Sequence, residues 1–164
     1  METSRTSPRS SNTLYEEDFY AWTQDQASKL RQRAHNAIDW DNTAEEIESV
    51  GASQKNEISS RMVRLIQHLL KWEYQPERRG NSWQSTISEQ RIHIESVLDQ
   101  SPSLKSFPKT RLDWAWKNGV RMASRETGKP ERTFPTDPAY SMDEILDHDF
   151  MPGIPWNTTE LNHD

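Results

Sequence analysis

Residues 42–75 read NTAEEIESVGASQKNEISSRMVRLIQHLLKWEYQ, and Pro76 follows. Apolar residues recur there at helical spacing: Ala44, Ile47, Gly51, Ile58, Met62, Leu65, Leu69 and Trp72 fall on one stripe. The stripe runs for about nine turns, which predicts one long amphipathic helix. Asp41 or Asn42 offers an N-cap oxygen at its start. Pro76 lacks an N–H and turns Gln75 away from helical geometry, so the helix is expected to stop there. Gly51 lies within the stripe, although glycine costs a helix interior about 1 kcal/mol against alanine. The stripe therefore predicts that another helix backbone approaches closely at Gly51.

Shorter helices surround this one. Leu14 to Ala34 is predicted as a first helix, with Thr13 and Glu16 spaced as a capping box. After the long helix, Asn81 or Ser82 caps a third, with Trp83, Ile87, Ile94, Val97 and Leu98 on its inner face. A fourth runs from about Pro108 to Thr127, presents Leu112, Ala115, Trp116, Gly119, Met122 and Ala123 inward, and stops at Gly128 and Pro130. Ser141 with Glu144 opens a short fifth helix. Gln54 and Gln90 sit within apolar faces, where a buried amide needs a partner. No stretch alternates convincingly as a strand. The expected fold is all-α: an antiparallel bundle of about four main helices, with a short C-terminal helix and an extended strap.

Composition bounds the rest. The 164 residues are most simply one domain over residues 14–152, with a disordered tail at 1–13 and a frayed one at 153–164. Leu, Ile, Val and Phe number only 27, so the seven tryptophans must supply much of the core. There is no cysteine, hence no disulfide and no thiolate ligand. No apolar run reaches the roughly 20 residues of a membrane span. The first thirteen residues lack the apolar centre of a secretory signal, so a cytoplasmic address is expected. Charge is uneven. Residues 61–91 hold 6 basic and 3 acidic side chains, and residues 99–135 hold 8 and 4, whereas residues 136–164 hold 7 acidic side chains and no Lys or Arg. Either the acidic end covers the basic middle, or the basic middle meets an anionic partner.

Several stretches together resemble a bacterial helical family known as domain-of-unknown-function family 29. They are Asp18-Phe19-Tyr20-Ala21-Trp22, Ala44-Glu45-Glu46-Ile47-Glu48, His68-Leu69-Leu70-Lys71-Trp72 with Gln75-Pro76-Glu77-Arg78, and Ser82-Trp83 with Thr86-Ile87 and Gln90-Arg91. Ser101-Pro102-Ser103-Leu104, Glu126-Thr127 and Asp149-Phe150 with Pro152 complete the set. The resemblance covers about Leu14 to Pro152 and implies an all-helical, bundle-like cytosolic domain. It carries no reaction, ligand or catalytic residue. Thr43 departs from it, standing where the family looks apolar.

Three groups of residues are candidates for function. On one flank of the long helix stand Glu46, Glu57, Arg61, Arg64 and His68. They form either a sealing row of ion pairs or, with Gln90 and Arg91 opposite, a polar pocket in which His68 titrates near neutrality. At the turn into the third helix, Arg78, Arg79 and Arg91 surround Trp83, a combination suited to phosphate and to a stacked base. Trp114 lies opposite the apolar face of its helix, as Ile92 does on the preceding one, which hints at an interface. Glu-x-x-His does not recur as a pair and no glycine-rich phosphate loop is present, so neither metal nor cofactor is expected. The leading expectation is a non-enzymatic helical interaction or scaffold module, pairing with another protein or with itself, through Arg78, Arg79, Trp83 and Trp114. An enzyme or ligand-binding bundle using Glu46, Glu57, His68, Gln90 and Arg91 is one alternative, and a nucleic-acid binder through the arginine turn is another.

Overall fold

The computed structural model describes residues 11–156. The expected tail at 1–13 lies outside them through residue 10, as does the expected frayed end from residue 157 onward. Among the described residues the fold is all-α, with no strand. The helices are α1 (Ser11–Glu17), α2 (Phe19–Arg31), α3 (Trp40–Tyr74), α4 (Asn81–Gln100), α5 (Phe107–Thr127) and α6 (Met142–Leu146), with single 3-10 turns between several of them. The chain divides into two compact units, Met1–Ser53 and Gln54–Asp164.

In the first unit, the predicted helix over 14–34 is broken. Asp18 leaves helical geometry and its carboxylate accepts the Ala21 N–H at 2.9 Å. An aspartate held as an N-cap starts a new helix rather than continuing the old one. The Thr13 capping box therefore does not form, because Thr13 lies inside α1. Tyr15, Phe19 and Trp22 cluster with ring centroids 4.8 to 5.9 Å apart. Asp39 caps α3 in place of the expected Asp41 or Asn42. It accepts from the Asn42 N–H at 3.4 Å and from the Trp22 indole at 3.3 Å, while its own N–H donates to Gln26 at 2.8 Å. Thr43 Oγ1 is buried with no hydrogen-bond partner among the described residues. Among the described residues of this unit, Trp22 and Ile38 are the only buried apolar side chains.

The predicted long helix forms as α3, with 35 residues in helical geometry. Its apolar stripe, however, is buried only from Ile58 onward. Ile47, Val50 and Gly51 face solvent, and a Cβ added at Gly51 would meet nothing within 4 Å. The expected close approach occurs instead at Gly119. A Cβ there would lie 2.6 Å from Ile66 Cγ2 and 2.9 Å from Ile66 Cβ, so only glycine lets α5 lie this near α3.

In the second unit, cross-helix pairs fix direction. Gln54 with Ser101, Arg61 with Gln90 and Lys71 with Trp83 join α3 to the α4 hairpin in antiparallel register. Lys55 with Phe107, Ile66 with Gly119 and Lys71 with Glu126 ascend together, so α3 and α5 run parallel. The three form an up-down-up bundle. Its core takes Ile58, Met62, Leu65, Ile66, Leu69, Leu70 and Trp72 from α3, Ile87, Ile94 and Val97 from α4, and Ala115, Trp116, Val120 and Ala123 from α5. α5 ends at Gly128 in left-handed geometry (φ 71°), and Ser141 and Glu144 close a capping box on α6, both as the sequence predicts.

The strap after α5 is held by polar anchors. Trp116 donates its indole N–H to the Pro135 carbonyl at 2.9 Å. Phe134, Tyr140, Met142 and Ile145 complete the core, and Trp156 meets Trp72 edge to face with centroids 5.2 Å apart.

Candidate functional site

The residues expected to form a polar pocket take separate roles. Glu46 belongs to the first unit and accepts the Tyr15 hydroxyl. That bond, followed by desolvation, raises the Tyr15 pKa to about 12. Glu57 pairs with Arg61 at 2.9 Å along α3, and Arg61 also donates to the buried Gln90 amide oxygen at 3.2 Å. Glu57 and Gln90 thus line one shallow groove of about 360 Å³ between α3 and α4, with Arg61, Arg64 and Glu89. His68 and Arg91 do not line it.

His68 is buried, with Nδ1 2.9 Å from the Arg64 carbonyl. That distance assigns the proton to Nδ1. Burial lowers its pKa from the usual value. Close by, Lys71 is almost wholly buried yet satisfied: its ammonium lies 2.7 Å from Glu126 and 4.3 Å above the Trp83 ring. Gln67 donates to the other Glu126 oxygen. Burial works to raise the Glu126 pKa, but the Lys71 bond and charge with the Gln67 bond outweigh it and leave it below the usual value. Glu126 is a partner the sequence reading missed. Its signal was two polar residues, Gln67 and Lys71, one turn apart inside an apolar run.

Arg91 is fully buried and pins the strap. Its Nε donates to the Ile145 carbonyl at 2.8 Å, Nη1 to that of His148 at 3.4 Å and Nη2 to that of Phe150 at 2.8 Å. Facing neutral carbonyls, it has its pKa lowered to about 10 by desolvation, which Asp147 and Asp149 only partly counter. Arg79 is used similarly. It donates to the Trp72 carbonyl at 2.7 Å, in the last turn of α3, and to the Ile154 carbonyl, and stacks 5.0 Å from the Trp72 ring. Arg78 is exposed and Trp83 is half-buried under Lys71.

Trp114 is different. It is 42% exposed on α5, with the Arg111 guanidinium 4.0 Å over its ring. It forms one wall of a groove of about 580 Å³ between the outer faces of α3 and α5. Val63 and Met122 add apolar surface, while Arg64, Arg121 and Arg125 supply three cations. None of the three arginines is in an ion pair among the described residues. The helical period placed Trp114 outward. It did not show that Arg64, from another helix, would stand across from it.

Among the described residues no group of three or more His, Asp or Glu side chains is placed to hold a metal ion, and no helix is long and apolar enough to cross a membrane. Neither the curated proteins nor the solved structures provide a match to this chain. The sequence profile described as Domain of unknown function DUF29 matches residues 14–151, nearly the whole described chain, and the protein belongs to that family.

Proposed function

We propose that the protein is a non-enzymatic helical interaction module that receives an acidic amphipathic segment of a partner protein in the groove between α3 and α5. The observation supporting this reading is Trp114, exposed and stacked by Arg111, beside three arginines that have no carboxylate partner among the described residues. An aromatic anchor ringed by guanidinium groups is the composition enriched where proteins bind proteins. The apolar floor of Val63 and Met122 favours a helix face over a nucleic-acid backbone, as does a net charge of -6 on the whole chain. Of the four residues expected to bind, Trp114 and the exposed Arg78 are free to do so, whereas Arg79 and Trp83 hold the bundle together.

The test is fluorescence anisotropy with a labelled acidic amphipathic helical peptide. Binding is expected, weakened by salt, and reduced roughly tenfold or more by Trp114→Ala or Arg121→Glu. Undiminished binding to both variants would overturn the groove as the site. Preferential binding of random single-stranded oligonucleotides would overturn the protein-partner reading in favour of nucleic acid.

A further inference from the structure

The first unit carries, on its own surface, the kind of segment that such a groove takes. In the N-terminal part of α3, Ile47 is 68% and Val50 66% exposed, and Ala44 and Gly51 flank Ile47 on the same face. Asp41, Glu45 and Glu48, spaced i, i+4 and i+7, run along one edge of that face, all exposed and none in an ion pair among the described residues. This is a short acidic amphipathic helix face that is uncovered among the described residues. At Gly51 and Ala44 it is smooth: a Cβ on Gly51 would still touch nothing, so another surface can approach closely there.

Resting on the reading above, we propose that the groove's occupant is the stretch from Asp41 to Gly51 of a second copy of this chain. Three carboxylates of one copy meet Arg64, Arg121 and Arg125 of the other, and Ile47 and Val50 meet Trp114, Met122 and Val63. Charge complementarity sets register, and the apolar contacts supply the affinity. The pairing also answers a need of the first unit, whose described residues bury only two apolar side chains, Trp22 and Ile38, while exposing Phe19, Tyr20, Leu30 and Trp40 besides Ile47 and Val50. Each contact joins unlike surfaces, and because every copy offers both, it either closes as a reciprocal pair about a two-fold axis or extends head to tail.

Sedimentation velocity on the full chain tests this, over roughly 1 µM to 1 mM. Wild-type protein is expected to associate with rising concentration, and less so at high salt. Glu45→Lys with Glu48→Lys, and separately Arg121→Glu with Arg125→Glu, should each weaken association roughly tenfold or more. Mixing the two variants should restore it, since each then meets a complementary surface. Ile47→Ser provides a charge-neutral version of the same loss. These are surface changes, and unaltered circular dichroism verifies folding. A monomeric wild type that still binds the labelled acidic peptide would overturn the second copy as occupant while leaving the groove reading standing. A monomeric wild type that binds no peptide would overturn both. Association untouched by the charge reversals, or a mixture that stays monomeric, would overturn the proposed pairing.

Discussion

Two glycines in this chain should answer the same substitution with opposite sign. At Gly119 an added Cβ lies 2.6 Å from Ile66 Cγ2, 2.9 Å from Ile66 Cβ and 3.4 Å from the Gln67 nitrogen. Carbon atoms rest about 3.5–4.0 Å apart, so α3 and α5 must separate by about 1 Å, or Ile66 must move. A β-branched side chain in a helix has one strongly preferred rotamer, and its Cβ is fixed to the backbone, so Ile66 has little room to yield. Overpacking of this kind costs about 1–3 kcal/mol or more, against about 1 kcal/mol gained by replacing a helical glycine with alanine. Gly119→Ala should therefore lose up to about 2 kcal/mol net, lowering Tm by up to roughly 8 °C for a chain this long. Gly51→Ala meets no neighbour and should gain about 0.5–1 kcal/mol. Urea unfolding followed by circular dichroism measures both. Because the chain has two compact units, separate transitions should be fitted where they appear. A double-mutant cycle sharpens the test. Ile66→Ala removes Cγ2 and leaves the Cβ and Gln67 nitrogen contacts, so Gly119→Ala should cost less in that background, with a coupling of about 1 kcal/mol. If Gly119→Ala instead stabilises the protein as much as Gly51→Ala does, α5 does not approach α3 at Ile66.

Arg91→Met should cost about 3–5 kcal/mol, because three strap carbonyls lose a charged donor at once. Limited proteolysis should show new cleavage within residues 136–156, and a loss under about 1 kcal/mol would mean the strap is held otherwise. Thr43→Val should stabilise the first unit by about 1 kcal/mol, since it replaces a buried hydroxyl lacking a partner with a methyl of similar shape. Thermal melts read this, and a loss would show that the hydroxyl is satisfied. Acid should weaken the fold in two windows. Burial holds the folded His68 pKa below its ordinary 6.5, so the neutral ring's contribution is complete above 6.5 and is lost as pH falls through the folded value. Glu126, also held below its ordinary 4.5, contributes fully above 4.5 and fails at lower pH still. His68→Gln should remove the upper window alone in urea melts across pH, and persistence of that window would move its origin elsewhere.

Helix positions were legible from sequence where a local signal decides them. The stop before Pro76, the left-handed glycine after α5 and the box at Ser141 each depend on a few neighbouring residues. Asp18 was misread because the stripe from Tyr15 through Trp22 stays in phase across it, and period alone does not register a capping side chain. Gly51 was misread for a related reason. Ala44, Ile47 and Gly51 continue the phase of Ile58 and Met62, but periodicity reports which face is apolar and not how far along a helix that face is covered. The candidate pocket dissolved for want of tertiary information. Glu57, His68 and Arg91 each have a polar partner, and the three partners lie in different places: Arg61, the Arg64 carbonyl and the strap. Arg91 and Gln90 did give a usable signal, being polar residues in phase with Ile87 and Ile94 and so bound to be buried with partners.

What separates structural from available charge here is the kind of partner each arginine has. Arg91 and Arg79 face backbone carbonyls, an arrangement that fixes a strap against a helix without neutralising charge, although Arg79 Nη2 is buried with no hydrogen-bond partner among the described residues. Arg61 is neutralised along its own helix by Glu57. Arg64, Arg121 and Arg125 have neither kind of partner among the described residues, in a chain with 26 acidic residues against 20 basic ones. With acids in excess, three unneutralised cations on one apolar groove reflect how the sequence distributes charge along α3 and α5, not a scarcity of anions. Self-repulsion among them costs little while water and salt screen it, and it is relieved when a carboxylate edge arrives. Association through that groove should therefore weaken steeply between about 50 and 500 mM salt, while unfolding of the bundle, held by Ile66, Leu69, Trp72 and Trp116, should shift far less.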